Sequence, residues 1–237
     1  AGKKIMDIYK TNFKVEYKED NSPVTQADLL ANEIIINHLE SKFPFHAILS
    51  EESKSDNRRL KNDYCFIIDP IDGTKEFINQ SGEFTINIGL SYKNEAVMGV
   101  IYAPVLEELY YAEKGKGAFK VKEREYTKLQ VSNKTDNLRV AESRSHQSQK
   151  VKLLYEENKK RILKSYEIGS TLKGCFMANN IIDAFYKFGP GTKEWDIITM
   201  DIIIHEANGI FRNLNHERFR YNKSDVYNKQ GYFAVNN

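Results

Sequence analysis

The sequence predicts an α/β protein, more closely α+β, of two layered halves at 1–131 and 132–237. Three observations predict it. Between Phe84 and Val131, short apolar runs are joined by turns too short for a crossover, which gives an antiparallel meander. From Leu138 onward, strand-like and helix-like stretches alternate, the mark of a layered half. Ahead of the meander, Cys65-Phe66-Ile67-Ile68 has no helical period, reads as a buried strand, and runs straight into Asp69-Pro70-Ile71-Asp72-Gly73.

The bulk properties set the class. A chain of 237 residues can bury one large core or two intimately packed ones. Hydrophobic content of 41% with 29% charged residues is that of an ordinary globular protein. A net charge of +2 gives no reason to invoke nucleic acid or a membrane surface. No apolar run has the length to span a bilayer, and no signal peptide is visible. The sequence opens on Ala1-Gly2 rather than Met, which leaves a preceding segment open. Cys65 and Cys175 lie in apolar surroundings far apart, so they read as small buried hydrophobes of a reducing, cytoplasmic compartment.

In chain order, Ile5, Ile8 and Tyr9 have helical spacing, and Lys14 to Lys18 suits a short strand. Thr25 followed by Asp28 has the form of a capping box for a helix through Leu39, with Leu30 and Ile34 on its packed face. Phe45 to Ser50 reads as a strand leading into Glu51-Glu52, a pair that by itself suits a solvated loop. Thr74 to Ile78 opens a helix, and strands follow at 84–92, 97–104, 109–112, 119–121 and 129–131. Gly115-Lys116-Gly117 lacks the rest of a phosphate-loop pattern and reads as a hairpin turn. In the second half, 138–141 and 165–168 read as strands and 148–160 as a charged helix. Leu172, Phe176, Ala178, Asn179, Ile182 and Phe185 fall largely on one helical face. A further helix runs from Ile197 to His205 and closes at Gly209, with strands at 209–211 and 232–235. His38 and His46 have no metal spacing and read as structural.

The chemistry concentrates where the buried strand ends. Asp69 and Asp72 bracket Pro70-Ile71, and Gly73 then frees the backbone before the helix. Asp-Pro and Asp-Gly are common turn pairs. Two carboxylates converging beside a helix start also suit a hard cation and a phosphate. Both readings stand on these residues alone.

Asp69-Pro70-Ile71-Asp72-Gly73-Thr74 resembles the signature of the inositol monophosphatase superfamily, lithium-sensitive magnesium-dependent phosphatases. Lys75-Glu76-Phe77 is similar to its 3'(2'),5'-bisphosphate nucleotidase branch, and the resemblance extends from Ala1 to about Asn236. It implies a layered αβαβα sugar-phosphatase fold, with an antiparallel sheet in the N-terminal half and a smaller mixed sheet in the C-terminal half. It also implies two or three Mg2+ ions held by Glu51, Asp69, the Ile71 carbonyl, Asp72 and Asp196. A metal pair neutralises charge at both the attacking and leaving oxygens and acidifies water. Thr74, hydrogen-bonded to Asp28 and assisted by Glu51, is the expected activator of that water. Gly73 and Thr74 amides, with Asp72 and Asp196 alongside, are expected at the phosphate.

Segments around His146, Ser170 and Phe188 resemble the nucleotidase branch, which places His146, Ser170, Lys173 and Lys187 at the adenosine and its other phosphate. By their own residue types, Lys173 in a first helical turn reads as solvated, and Asp196 before a helix reads as a cap. Lys187 stands where a relative has arginine, and the Pro190–Trp195 segment is a residue longer than in some relatives; both bear on specificity. The implied substrate is 3'-phosphoadenosine 5'-phosphate, a by-product of sulfate activation, with an inositol or sugar monophosphatase as the alternative. A metal or nucleotide sensor that keeps the fold without catalysis is the third reading. A monomer or homodimer is expected.

Overall fold

A computed structural model describes residues 1–18 and 23–237. The N-terminal half runs α1 (Gly2–Tyr9), β1 (Val15–Tyr17), β2 (Pro23–Thr25), α2 (Gln26–Lys42), β3 (Ala47–Ser50), β4 (Tyr64–Asp72) and α3 (Thr74–Ile78). The meander follows as β5 (Thr85–Tyr92), β6 (Glu95–Ala103), β7 (Glu108–Glu113), β8 (Gly117–Lys122) and β9 (Glu125–Lys128). The remainder comprises β10 (Leu138–Ser143), α4 (Gln149–Glu157), β11 (Ile162–Ile168), α5 (Leu172–Ala178), β12 (Ala184–Phe188), β13 (Thr192–Lys193), α6 (Ile198–Glu206), β14 (Ile210–Asn213), β15 (Tyr227–Asn228) and β16 (Gly231–Val235).

Strands β3 to β9 form one seven-stranded sheet in sequence order, and β11-β10-β12-β16-β14 form a second of five. The second is mixed, as the family resemblance implied: β10 pairs parallel with β11 and β12, while β16 runs antiparallel to β12 and β14. The first departs from the antiparallel expectation at one edge, where β3 pairs parallel with β4. The crossover there carries a short 3-10 helix, Asn57–Lys61, giving the chain room to return in the same direction.

The layers alternate α, β, α, β, α. Helices α1 and α2 cover one face of the large sheet, packing Ile5, Ala27, Ala31 and Ile35 in one core with Phe66 of β4. Helices α5 and α6 fill the space between the sheets, where Ile198, Ile202 and Ile203 share a core with Ile67, Phe185 and Phe211. Helix α4 covers the outer face of the small sheet with Val151 and Tyr155 against Val140 and Ala184. The central helix lies close because glycines stand beneath it. A Cβ on Gly89 would sit 2.5 Å from Ile198 Cγ2, and one on Gly99 would sit 2.5 Å from Ile202 Cγ2. No helix among the described residues is long and apolar enough to cross a membrane.

Four further expectations need correction. The buried stripe of α2 is Ala27, Ala31, Ile35 and Leu39, so Leu30 and Ile34 flank it. The predicted strand at 129–131 is irregular; the strand is β9, and Leu129 and Val131 instead plug the core. Helix α5 stops at Ala178, and Asn180 then takes a left-handed φ of 55°, so Ile182 precedes a strand and Phe185 belongs to it. Apolar spacing alone does not separate a short helix plus a strand from one longer helix. At the end of α6 the left-handed residue is Asn208 rather than Gly209, whose amide donates back to Ile204 O. Gly209 is needed for close approach: a Cβ there would meet Ile204 at 2.7 Å and Val131 at 2.9 Å.

Candidate active site

Strand β4 delivers two carboxylates to one side of the sheet, which regular pleating forbids for residues three apart. Asp69 faces Asn87 and Asp72 faces Thr85, so three steps on β4 match two on β5. The extra residue makes a bulge that turns Asp72 to the face of Asp69. Gly73 then adopts φ +91° and caps α3, with Glu83 O and Ser170 Cβ only 3.1 and 3.2 Å from where its Cβ would stand. A side chain there would be both strained and crowded.

Glu51 arrives at the end of β3, where its amide donates to Ile68 O at 3.1 Å. Asp196 lies in the turn before α6. It does not cap the helix; its Oδ2 instead accepts the Lys193 amide at 2.7 Å. Glu51, Asp69 and Asp196 each offer one oxygen within 4.8 Å of the others. Asp72 borders the same cavity but turns Oδ2 to the Thr171 amide at 2.5 Å. The Ile71 carbonyl accepts the Thr74 hydroxyl at 3.3 Å.

Asp28 stands behind Thr74 rather than on the cavity wall, and Asp28 Oδ1 accepts the Thr74 hydroxyl at 3.3 Å. The capping box and this contact coexist because the two carboxylate oxygens serve different partners. Burial pushes the Asp28 carboxyl up, against the hydrogen bonds from Thr25 and Thr74.

The acids strain one another. Burial first, and then Glu51, Asp72 and Asp196, push Asp69 well above the usual carboxylate range. Asp196 is raised well above its ordinary value by burial and by Glu51 and Asp72. Burial lifts Asp72 to about 6, with Lys173 and the Thr171 amide pulling the other way. Asp69 Oδ1 is buried with no hydrogen-bond partner among the described residues. Three convergent carboxylates, a buried oxygen on one of them without a partner, and mutually repelling charge fit a hard divalent cation.

The cavity, of about 510 Å³, is bordered by every proposed site residue except Asp28. His146 and Lys75 meet there at 3.3 Å. Burial, and then the charges of Lys75 and Lys187, hold His146 below its ordinary value. Lys173 is buried rather than solvated, and its Nζ donates to Ser170 O at 2.7 Å and Ile168 O at 3.2 Å. Ser170 holds a φ of 50°, which turns the chain into α5.

Sequence reasoning did not single out four residues at this site. Lys75 follows Thr74 directly and could have been read from its place on the first turn of α3. Lys193 and Tyr227 arrive on the β13–β15 ribbon, which has no local signal. Lys18 pairs with Glu52 at 2.6 Å and Glu51 at 3.3 Å, so Glu52 supports the site instead of facing water.

The family model for the inositol monophosphatase family matches residues 1–235. The chain is 34% identical over 236 residues to the 3'(2'),5'-bisphosphate nucleotidase CysQ of Aggregatibacter actinomycetemcomitans, covering 96% of this chain and 85% of that one. It is 38% identical over 200 residues to the protein of the same name from Salmonella typhimurium, covering 83% and 79%. The crystal structure of CysQ from Bacteroides thetaiotaomicron superposes with a TM-score of 0.84 at 34% identity, covering 99% of this chain and 92% of that one. A match that runs nearly end to end, on a fold with the same layers, makes this chain a member of the inositol monophosphatase family.

Proposed function

We propose that this chain is a magnesium-dependent phosphatase that removes the 3'-phosphate of 3'-phosphoadenosine 5'-phosphate, leaving AMP and phosphate. The observation that carries the reading is the convergence of Glu51, Asp69 and Asp196 within 4.8 Å, in a cavity that Thr74 also borders. Glu51, Asp69, Asp72, Asp196 and the Ile71 carbonyl hold two or three Mg2+ ions. When bound, these neutralise phosphate charge and make water acidic enough to attack at neutral pH.

The chain's own groups do the rest. Thr74 Oγ1 orients the incoming water and accepts its proton as the hydroxyl proton passes to Asp28 Oδ1. Burial raises the Asp28 carboxyl, which suits it to take that proton. Glu51, which borders the same cavity, assists. The Gly73 and Thr74 amides hold a phosphate oxygen at the start of α3. His146, Ser170, Lys173 and Lys187 receive the nucleoside and its remaining phosphate. The names of the curated relatives support the substrate, and the lysines around His146 supply charge opposite in sign to the acid cluster.

The test is phosphate release with Mg2+ from 3'-phosphoadenosine 5'-phosphate, inositol 1-phosphate and fructose 1,6-bisphosphate. The nucleotide should give the highest kcat/KM. A preference for either sugar phosphate would transfer the same acids to an inositol or sugar monophosphatase. No magnesium-dependent turnover of any of the three would overturn the enzyme reading.

A further inference from the structure

Glu194 is a fully buried carboxylate two residues before Asp196, and it lies outside the cavity wall. Its Oε2 accepts the Asn222 amide at 2.6 Å and its Oε1 accepts the Lys223 amide at 2.9 Å. Its own amide donates to Val226 O at 3.0 Å, and its carbonyl accepts the Ile197 and Ile198 amides at the start of α6. Residue 194 is therefore pinned through both side-chain oxygens and both backbone groups.

The network continues to the other arm of the site. Arg59, on the 3-10 helix that follows Glu51 in the chain, is only 3% exposed. Its Nη1 donates to Asn222 Oδ1 at 2.6 Å and its Nη2 to Lys223 O at 2.7 Å. Its Nε donates to Ser55 Oγ at 3.1 Å, in the segment leading from Glu51. Asn222 answers by donating Nδ2 to Arg59 O at 3.0 Å. A buried guanidinium and a buried carboxylate thus share the same two residues, 222 and 223. A structural ion pair would be expected to meet directly. Arg59 and Glu194 do not meet, and Glu194 pairs instead with Lys223 Nζ at 3.8 Å; the two buried charges hold residues 222 and 223 between them, and that backbone ties the Glu51 segment to the Asp196 turn.

We propose that Arg59, Asn222 and Glu194 form a brace of positioning residues that fixes the spacing of Asp196 from Glu51, and through it the affinity of the site for a divalent cation. The proposal rests on the metal-dependent reading above. None of the three touches the cavity, so each acts only through the carboxylates it places. Outer hydrogen bonds to metal ligands commonly change affinity by about 10- to 100-fold. An effect of that size is expected from a brace whose members are all buried.

Trp195, the only tryptophan of the chain, lies between Glu194 and Asp196 and borders the cavity, so its fluorescence reports on cation binding without turnover. The full chain and its Arg59→Met, Asn222→Ala and Glu194→Gln variants are titrated with Mg2+, following Trp195 emission and heat. Melting temperature in chelator and kcat at saturating Mg2+ are measured alongside. The half-saturating Mg2+ concentration should rise about 10-fold or more, with kcat at saturation within about twofold of the parent. A lower melting temperature with an unchanged half-saturation point would show a purely structural role and overturn the proposal. Should Arg59→Met not fold, Asn222→Ala and the milder Arg59→Lys decide by the same readout. A parent chain that binds no Mg2+ sinks both this proposal and the metal-dependent reading. A parent that binds and variants that match it sink the brace alone.

Discussion

The Thr74 hydroxyl donates to Asp28 Oδ1 at 3.3 Å, while Asp28 Oδ2 accepts the Thr25 hydroxyl at 2.6 Å and the Thr25 amide at 2.8 Å. One carboxylate therefore ties the first turn of α2 to the first residue of α3. Substitutions at the two ends of this pair should separate. Asp28→Ala should lower stability by about 1 kcal/mol, the worth of a lost helix cap, and also lower turnover. Thr74→Val should leave stability close to the parent while reducing kcat by about 100-fold or more. Chemical denaturation and phosphate release measured on both variants check this. Equal loss of stability in the two would contradict it.

Asp69 is buried among Glu51, Asp72 and Asp196, and in the absence of a cation those charges repel. Asp69→Asn should therefore melt higher than the parent in chelator, by about 1 kcal/mol, and lose turnover. Mg2+ should raise the melting temperature of the parent far more than that of the variant. Thermal unfolding with EDTA and with Mg2+ measures both, and a variant less stable than the parent in EDTA would count against mutual repulsion.

Asp72→Asn should abolish magnesium-dependent turnover and leave the fold intact, since the remaining side-chain oxygen can still accept the Thr171 amide. Circular dichroism and phosphate release are the measurements. Near-normal rates in Mg2+ would remove Asp72 from the metal site.

Asp183 is fully buried, accepts the Ser132 hydroxyl at 2.5 Å and the Arg139 amide at 2.7 Å, and pairs with the Arg139 guanidinium at 2.7 Å. Its burial would raise the carboxyl, but the Arg139 and Ser132 hydrogen bonds outweigh that and hold it below its ordinary value of 3.8. A depressed carboxylate stabilises the fold above its unfolded value, and the benefit fades as pH falls through the folded value. Asp183→Ala should cost about 3 kcal/mol at pH 7, where it leaves Arg139 unpaired. The gap between parent and variant should narrow only below about pH 4. Urea denaturation across pH 2.5 to 7 tests it; a gap independent of pH would show that packing, not charge, is responsible.

Gly99→Ala places a methyl 2.5 Å from Ile202 Cγ2 and 3.1 Å from the Thr199 backbone. Overpacking of this kind typically costs about 1–3 kcal/mol. Because α6 begins just after Asp196, its displacement should also raise the half-saturating Mg2+ concentration. Unfolding and Mg2+ titration of the variant check both effects, and an unchanged stability would mean that the helix yields freely.

Much of the site was legible because its signals are local. Asp69-Pro70-Ile71-Asp72-Gly73-Thr74 was read as a turn between strand and helix; β4 instead continues through Asp72 with a bulge after Asp69, and only the left-handed Gly73 turns the chain into α3. Thr25 and Asp28 form the capping box their spacing announced. Where two short elements share one apolar rhythm, as from Leu172 to Phe185, the reading failed. The break falls at Asn179-Asn180, where Asn180 takes a left-handed φ of 55°, a C-terminal signal that the continuing apolar spacing masked.

By itself the sequence determined where strands run, where helices are capped and where the backbone must bend, because turn residues, caps and alternating apolar runs act over a few neighbours. Only the tertiary structure decided that Glu51, Asp69 and Asp196 meet, that a bulge turns Asp72 to the same face, and that Arg59 bonds Asn222, far from it in sequence. Those relations depend on how the sheets and α6 pack. Packing is set by the whole core at once, so no short stretch of residues encodes it.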